Sequence, residues 1–234
     1  MKTERVVIIG GSSGMGLALA TELVAQGTEV TIAGRSKDRL EAVELEVRKV
    51  VTDIGDEQDV ERLFKTTGEI DHIVTTAADI SGAYQPIREY DVAAARSSIE
   101  SKLIGPLLLA KHGAPMLAQG GSIVFTSGIA AYRPGPRGSM VAALNGALGS
   151  MAAALAVELA PIRVNAVSPG WVDTPIWQGV AGDAKDQTLA AMADRLPVGR
   201  IGRTKDIADA IIALLRNGFI TGTVLHADGG HRLV

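Results

Sequence analysis

The chain has 234 residues, 47% of them hydrophobic and 21% charged, with a net charge of −3. That is enough for one α/β domain with a full core, and no basic surplus is left to hold nucleic acid. There is no cysteine, which excludes disulfides, thiolate catalysis and cysteine-zinc sites, and the four histidines (His72, His112, His226, His231) lack metal-ligand spacing, so no metal is expected.

The opening Met1-Lys2-Thr3-Glu4-Arg5 has no signal-peptide pattern, so the expected location is the cytoplasm. The first strand is predicted at Val6–Ile9 and the first helix at Met15–Gln26, with Gly27 as its stop. Between them lies Gly10-Gly11-Ser12-Ser13-Gly14-Met15-Gly16. Gly10 turns the chain off the strand, Gly14 lets backbone approach a ligand, and Gly16 lets the helix pack closely on the strand. Ser12, Ser13 and Met15 belong to the same turn. A helix N-terminus behind such a turn offers N–H groups and partial positive charge to a phosphate, so a dinucleotide site is expected there.

The second strand is predicted at Glu29–Ala33, followed by Gly34-Arg35-Ser36 and a helix from Lys37. The end of this strand meets the adenosine ribose in a dinucleotide fold. An acidic residue there favours NAD. A guanidinium bonds a 2′-phosphate bidentately, so Arg35, helped by Ser36 and Ser13, points to NADP(H). The third strand is predicted at Val47–Thr52. Asp53 then accepts from the adenine amino group with Ile54 against the ring, or else Asp53 caps the next helix, Asp56–Thr66. The fourth strand is Ile70–Thr75, and Ala77 and Ala78 in the loop after it are expected beside the cofactor.

A helical region covers Tyr90–Leu117, interrupted near Gly105-Pro106, before a fifth strand at Ser122–Thr126. Residues 138–157 carry no charge. They are rich in Ala, Gly and Ser, hold Asn145, and are flanked by Arg137 and Glu158. That composition predicts a helix buried on most sides, on the sheet and at a subunit interface, rather than a membrane span. The sixth strand is Ile162–Val167, the segment to about residue 203 is an irregular, partly helical lid, a helix covers Lys205–Arg216, and the last strand is Thr223–His226. Apolar strands alternating with helices predict a single domain, residues 1–234, with a doubly wound parallel sheet and ligands at the carboxyl ends of its strands.

Three stretches carry a family resemblance that spans almost the whole chain. Ile9 to Gly16 resembles the Thr-Gly-x-x-x-Gly-x-Gly turn of the short-chain dehydrogenase/reductase family, with Ile9 in place of Thr. Ile162-Arg163-Val164-Asn165-Ala166-Val167-Ser168-Pro169-Gly170 is similar to that family's sixth-strand signature, and Ile220 to Gly230 to its C-terminal one. The resemblance implies that Pro169, Gly170 and Val172 border the nicotinamide, that Thr174 holds its carboxamide, that a small-molecule carbonyl or alcohol is the substrate, and that the protein is a homodimer or homotetramer packed through its two long apolar helices.

The catalytic half departs from the family. Its Tyr position falls on Val141, its Lys position on Asn145, its Ser position on Gly128 and its Asn position on Lys102. Three residues are candidates to replace them. Lys102, if buried, has a pKa shifted towards neutrality and serves as acid or base; Ser127 binds a substrate oxygen; Tyr132 supplies a phenol. Each has an ordinary alternative: a solvated lysine, a strand-end hydroxyl, a packed aromatic. Two functions stay open, an oxidoreductase with an atypical proton relay and an NADP(H)-binding protein without turnover.

Overall fold

A computed structural model describes residues 3–77 and 82–234. Its strands are β1 (Arg5–Ile9), β2 (Glu29–Gly34), β3 (Arg48–Val51), β4 (Ile70–Thr75), β5 (Leu117–Thr126), β6 (Arg163–Pro169) and β7 (Val224–Ala227). The helices are α1 (Gly14–Ala25), α2 (Lys37–Glu41), α3 (Glu57–Thr67), α4 (Val92–Ile99), α5 (Gly105–Gly113), α6 (Ser139–Glu158), α7 (Ile176–Ala181), α8 (Lys185–Ala193) and α9 (Thr204–Arg216). The strands form one sheet in the order β3-β2-β1-β4-β5-β6-β7, with every pairing parallel. The winding reverses between β1 and β4, so the crevice for a ligand opens at their carboxyl ends.

Alternate residues of the central strands feed two cores. Val6 and Ile8 pack with Leu19 and Leu23 of α1 and with Ile207, Ile211 and Leu214 of α9. Val7 and Ile9 face the other way, towards Leu63 and Phe64 of α3, Leu109 of α5, and Leu148, Ala152 and Leu155 of α6. Full burial of one such side chain stabilises the fold by about 1.5–3 kcal/mol. The single-domain, doubly wound α/β architecture expected from the pattern is the one found.

Three local readings change. The fifth strand starts at Leu117, because Ile70 pairs with Leu117 before a register shift restores pairing at His72 with Ser122. Gly120, at φ +83°, makes the bend between them. The helix break falls before Gly105-Pro106, as a π turn over Glu100–Ile104 that carries Lys102. Pro106 has no N–H to give the Lys102 carbonyl, and the Gly105 N–H reaches back to the Glu100 carbonyl instead. Helix α6 is buried on one face only, through Val141, Leu144, Asn145, Leu148, Ala152 and Leu155. Ala143, Gly146, Ser150, Ala153, Ala154 and Val157 form an exposed stripe of mostly small residues. By length and composition α6 is the one described helix apolar enough to cross a membrane.

At the opposite end of the sheet, buried His72 ties β4 to its neighbours. Its Nδ1 lies 2.9 Å from Ser122 Oγ and its Nε2 3.1 Å from Glu4 Oε1. Burial holds its pKa below the ordinary value of 6.5, against the opposing pull of Glu4. The unfolded chain therefore takes up this proton first as pH falls, and stability drops below pH 6.5. Urea unfolding at pH 7.5 and 5.5 is expected to show a smaller loss in His72→Gln than in the wild type.

Candidate active site

The turn after β1 is shaped by what surrounds it. Gly10 has φ +87°, and a Cβ on it would lie 2.7 Å from the Ala77 nitrogen. A Cβ on Gly16 would lie 2.3 Å from the Gly10 carbonyl oxygen and 2.5 Å from Thr76 Oγ1. Thr76, which the sequence reading passed over, straps the two turns: its N–H donates to the Ile9 carbonyl at 2.8 Å and its hydroxyl to the same oxygen at 3.2 Å. Gly14 has φ +53°, and the atoms nearest its Cβ position belong to Pro175 and Thr174, at 3.7–3.9 Å. Ser13, the N-cap residue of α1, is extended, and its hydroxyl makes no cap bond. The α1 N-terminus thus presents its partial positive charge and backbone N–H groups without a side-chain cap.

The other expected cofactor residues divide by what holds them. Ser12 Oγ lies 4.0 Å from the Cβ position of Gly34, which places it beside the end of β2, and Arg35 follows on the surface. Ser36 caps α2 by accepting the Arg39 N–H at 3.3 Å. Asp53 accepts the Gly55 N–H at 2.9 Å. The α3 cap is Asp56, which accepts from Gln58 and Asp59, so the alternative reading of Asp53 as that cap is corrected. Ile54 is 5% exposed and packs under Gly105, so its side chain serves the core instead of lying open to a ring. Met15 packs partly against the core, and the Ala77 N–H donates to the Ile9 carbonyl. Ala78 lies outside the described residues. The Gly170 N–H donates to Ala227, and a Cβ on Gly170 would lie 2.7 Å from Asp228 Cα, so this glycine admits the C-terminal turn beside Pro169. Val172 is turned into the core, while Thr174 stands over Gly14.

The catalytic candidates separate more sharply. Lys102 is 7% exposed, and its Nζ donates to the Thr126 carbonyl at 3.2 Å. Burial lowers its pKa to about 8. Thr126 adjoins Ser127, whose N–H donates to Val167 at 2.9 Å and whose Oγ donates to the Asn145 carbonyl at 2.8 Å. A Cβ on Gly128 would lie 2.8 Å from Asn145 Nδ2, so the glycine makes room for the asparagine side chain. Val141 is buried and carries no proton donor.

Tyr132 is exposed and packs against β7 and α6. Its ring meets His226 edge-on at 4.4 Å, and its hydroxyl lies 4.0 Å from the Cβ position of Gly149, one helical turn past Asn145.

Around the carboxyl ends of β4, β5 and β6, Thr75 Oγ1, Thr126 Oγ1, Ser168 Oγ and Asn145 Oδ1 are buried without a partner among the described residues. Each such group costs about 1–3 kcal/mol unless something bonds it. The unpaired polar atoms, the uncapped helix and the open space at Gly14 fit a dinucleotide with its nicotinamide over β5 and β6.

Comparison with known proteins agrees with that fit. A family model described as enoyl-(acyl carrier protein) reductase matches residues 10–232. The chain is 35% identical to a short-chain dehydrogenase/reductase, ATR9, of Stachybotrys chlorohalonatus (strain IBT 40285), over 98% of this chain and 97% of that one. It is 34% identical to cis-4-hydroxycyclohexanecarboxylate dehydrogenase of Sinomonas cyclohexanicum, over 99% of this chain and 98% of the other. Among solved structures, a small-chain dehydrogenase in complex with NADPH matches with a TM-score of 0.86 at 35% identity, covering 100% of both chains.

Proposed function

The chain belongs to the short-chain dehydrogenase/reductase family, and we propose that it is an NADP(H)-dependent oxidoreductase in which Lys102 replaces the family's tyrosine as proton donor. The observation that carries this reading is the buried Lys102 ammonium on the Thr126 carbonyl, one residue from the Ser127 hydroxyl. A nicotinamide dinucleotide bound here supplies or takes the hydride. Arg35, with Ser12 and Ser13, holds the 2′-phosphate, and the α1 N-terminus holds the pyrophosphate. Ser127, anchored through Asn145, rotates its hydroxyl onto the substrate oxygen. Lys102 gives that oxygen its proton in reduction and takes it back in oxidation. The buried Val141 favours a second reading, dinucleotide binding without turnover.

NADPH fluorescence titration, followed by absorbance at the nicotinamide band with a panel of ketones and aldehydes, separates the two. Binding with turnover is expected; binding without turnover across cyclic and open-chain carbonyls supports the second reading. The Sinomonas relative makes cyclic ketones the first compounds to try. Lys102 donates only as the ammonium, so the reduction rate is expected to fall as pH rises through about 8. Loss of the bidentate phosphate contacts in Arg35→Asp is expected to weaken NADPH binding about 100-fold and leave NADH binding nearly unchanged. We place the protein in the cytoplasm as a homo-oligomer joined through α5 and the exposed small-residue stripe of α6, which sedimentation measures directly.

A further inference from the structure

Lys102 sits where the helical run between β4 and β5 is interrupted. Helix α4 ends at Ile99, α5 starts at Gly105, and the residues between them, Glu100–Ile104, form the π turn. A π turn takes one residue more than an α turn to come round. Neither neighbouring helix can turn as a whole to absorb that residue. Helix α4 is capped by Asp91, whose carboxylate accepts the Ala93 N–H at 2.9 Å, and it buries Ala95 and Ser98. At the start of α5, a Cβ on Gly105 would lie 2.7 Å from Ile54 Cδ1; at its end, a Cβ on Gly113 would run into Ile73 and lie 2.6 Å from Phe64 Cζ. Ile54, Ile73 and Phe64 are all buried, so α5 is seated tightly at both ends. The extra residue therefore has to lie between Asp91 and Gly113.

Pro106 decides where. A proline inside a helix has no N–H for the carbonyl four residues back, and its ring pushes that carbonyl aside. Four residues before Pro106 is Lys102. The Gly105 N–H has gone to the Glu100 carbonyl, five residues back. While the proline stays, the turn over Lys102 cannot close as an α turn. Lys102 lies within the widened turn, 7% exposed, and its Nζ donates to the Thr126 carbonyl at 3.2 Å. A fraction of a turn about the helix axis would carry the end of so long a side chain several ångströms from that oxygen.

We propose that Pro106 is a positioning residue, which pins the π turn at Glu100–Ile104 and so aims the Lys102 ammonium at the carboxyl end of β5. With an N–H at position 106, the α bond to the Lys102 carbonyl can close. Helix α5 then extends back over Lys102, the extra residue moves towards α4, and the lysine swings off Thr126. The inference rests on the oxidoreductase reading for what the lysine does in the crevice, and on the fold alone for where it points.

Pro106→Ala is the test. It restores a helix donor and removes the ring, so the variant is expected to melt no lower than the wild type. Its kcat is expected to fall about 10²-fold with KM little changed, the effect of displacing a reacting group by about 1 Å. A proline kept for structure alone would show the reverse, a lower melting temperature with kcat intact. Carbon NMR of the lysine Cε, with the Lys102 resonance assigned by its loss in Lys102→Met, reads the placement without turnover. The wild-type resonance is expected to titrate near pH 8 and that of Pro106→Ala closer to 10.5. A midpoint that rises in Pro106→Ala supports the proposal even if neither protein reduces any carbonyl, a result that would sink the oxidoreductase reading alone. A midpoint that does not move overturns the proposal whatever happens to kcat, and with turnover retained it leaves the oxidoreductase reading standing.

Discussion

Replacing Lys102 by methionine is expected to cut turnover by about 10²–10⁴-fold, the usual contribution of a positioned general acid. NADPH affinity should hold within a few fold, because the proposed 2′-phosphate and pyrophosphate contacts are at Arg35 and the α1 N-terminus. The same variant is expected to be more stable than the wild type. Burial lowers the lysine from 10.5 to about 8, so at pH 7 the folded chain carries a buried ammonium at a cost of about 3 kcal/mol, partly offset by the Thr126 bond. Methionine has similar reach and no charge. A melting temperature raised by about 5 °C at pH 7 is the expected reading. The advantage should shrink between pH 8 and 10.5, where the folded wild type has lost its proton and the unfolded chain still holds one. A lysine kept for structure alone would show the opposite, lost stability with turnover intact.

Gly16→Ala is expected to damage the fold and the cofactor site together. Its Cβ would fall 2.3 Å from the Gly10 carbonyl oxygen and 2.5 Å from Thr76 Oγ1. Neither atom is the far end of a flexible side chain, so α1 must move off β1. Overpacking of this kind costs about 3 kcal/mol, which lowers the melting temperature by about 6–12 °C in a chain of this size. NADPH binding should weaken with it, because the displaced helix N-terminus is the proposed phosphate site. Gly14→Ala is the contrast. A Cβ there meets nothing closer than 3.7 Å, so only the strain of its φ of +53° remains, and the fold should lose about 1 kcal/mol. Thermal melts with and without NADPH read both variants.

The β1 turn was legible because its glycines are required by local geometry: a positive φ at Gly10 and a close approach at Gly16 admit no other residue. The apolar runs of β1, β4 and β6 were legible for a similar reason, since a strand covered on both faces has no polar alternation. The start of β5 was not, because residues 117–121 pair across a register shift that depends on β4. The role of Asp53 was ambiguous because Asp53 and Asp56 both precede α3, and only the backbone path assigns the cap to Asp56.

The catalytic half shows the same division. The sequence by itself established the doubly wound sheet and the glycine turn after β1, and it put Arg35 at the end of β2 and Val141 and Asn145 on the buried helix. Those conclusions depend on residue type and on spacing along one chain. Only the tertiary structure decided what Lys102, Ser127 and Tyr132 each touch. Lys102 is buried because Pro106 widens its turn and β5 offers the Thr126 carbonyl, whereas Tyr132 is drawn to His226 by a strand that joins the sheet at the far end of the chain. Burial, and with it the pKa that suits an amine to proton transfer, is a property of neighbours distant in sequence, and no local pattern records it.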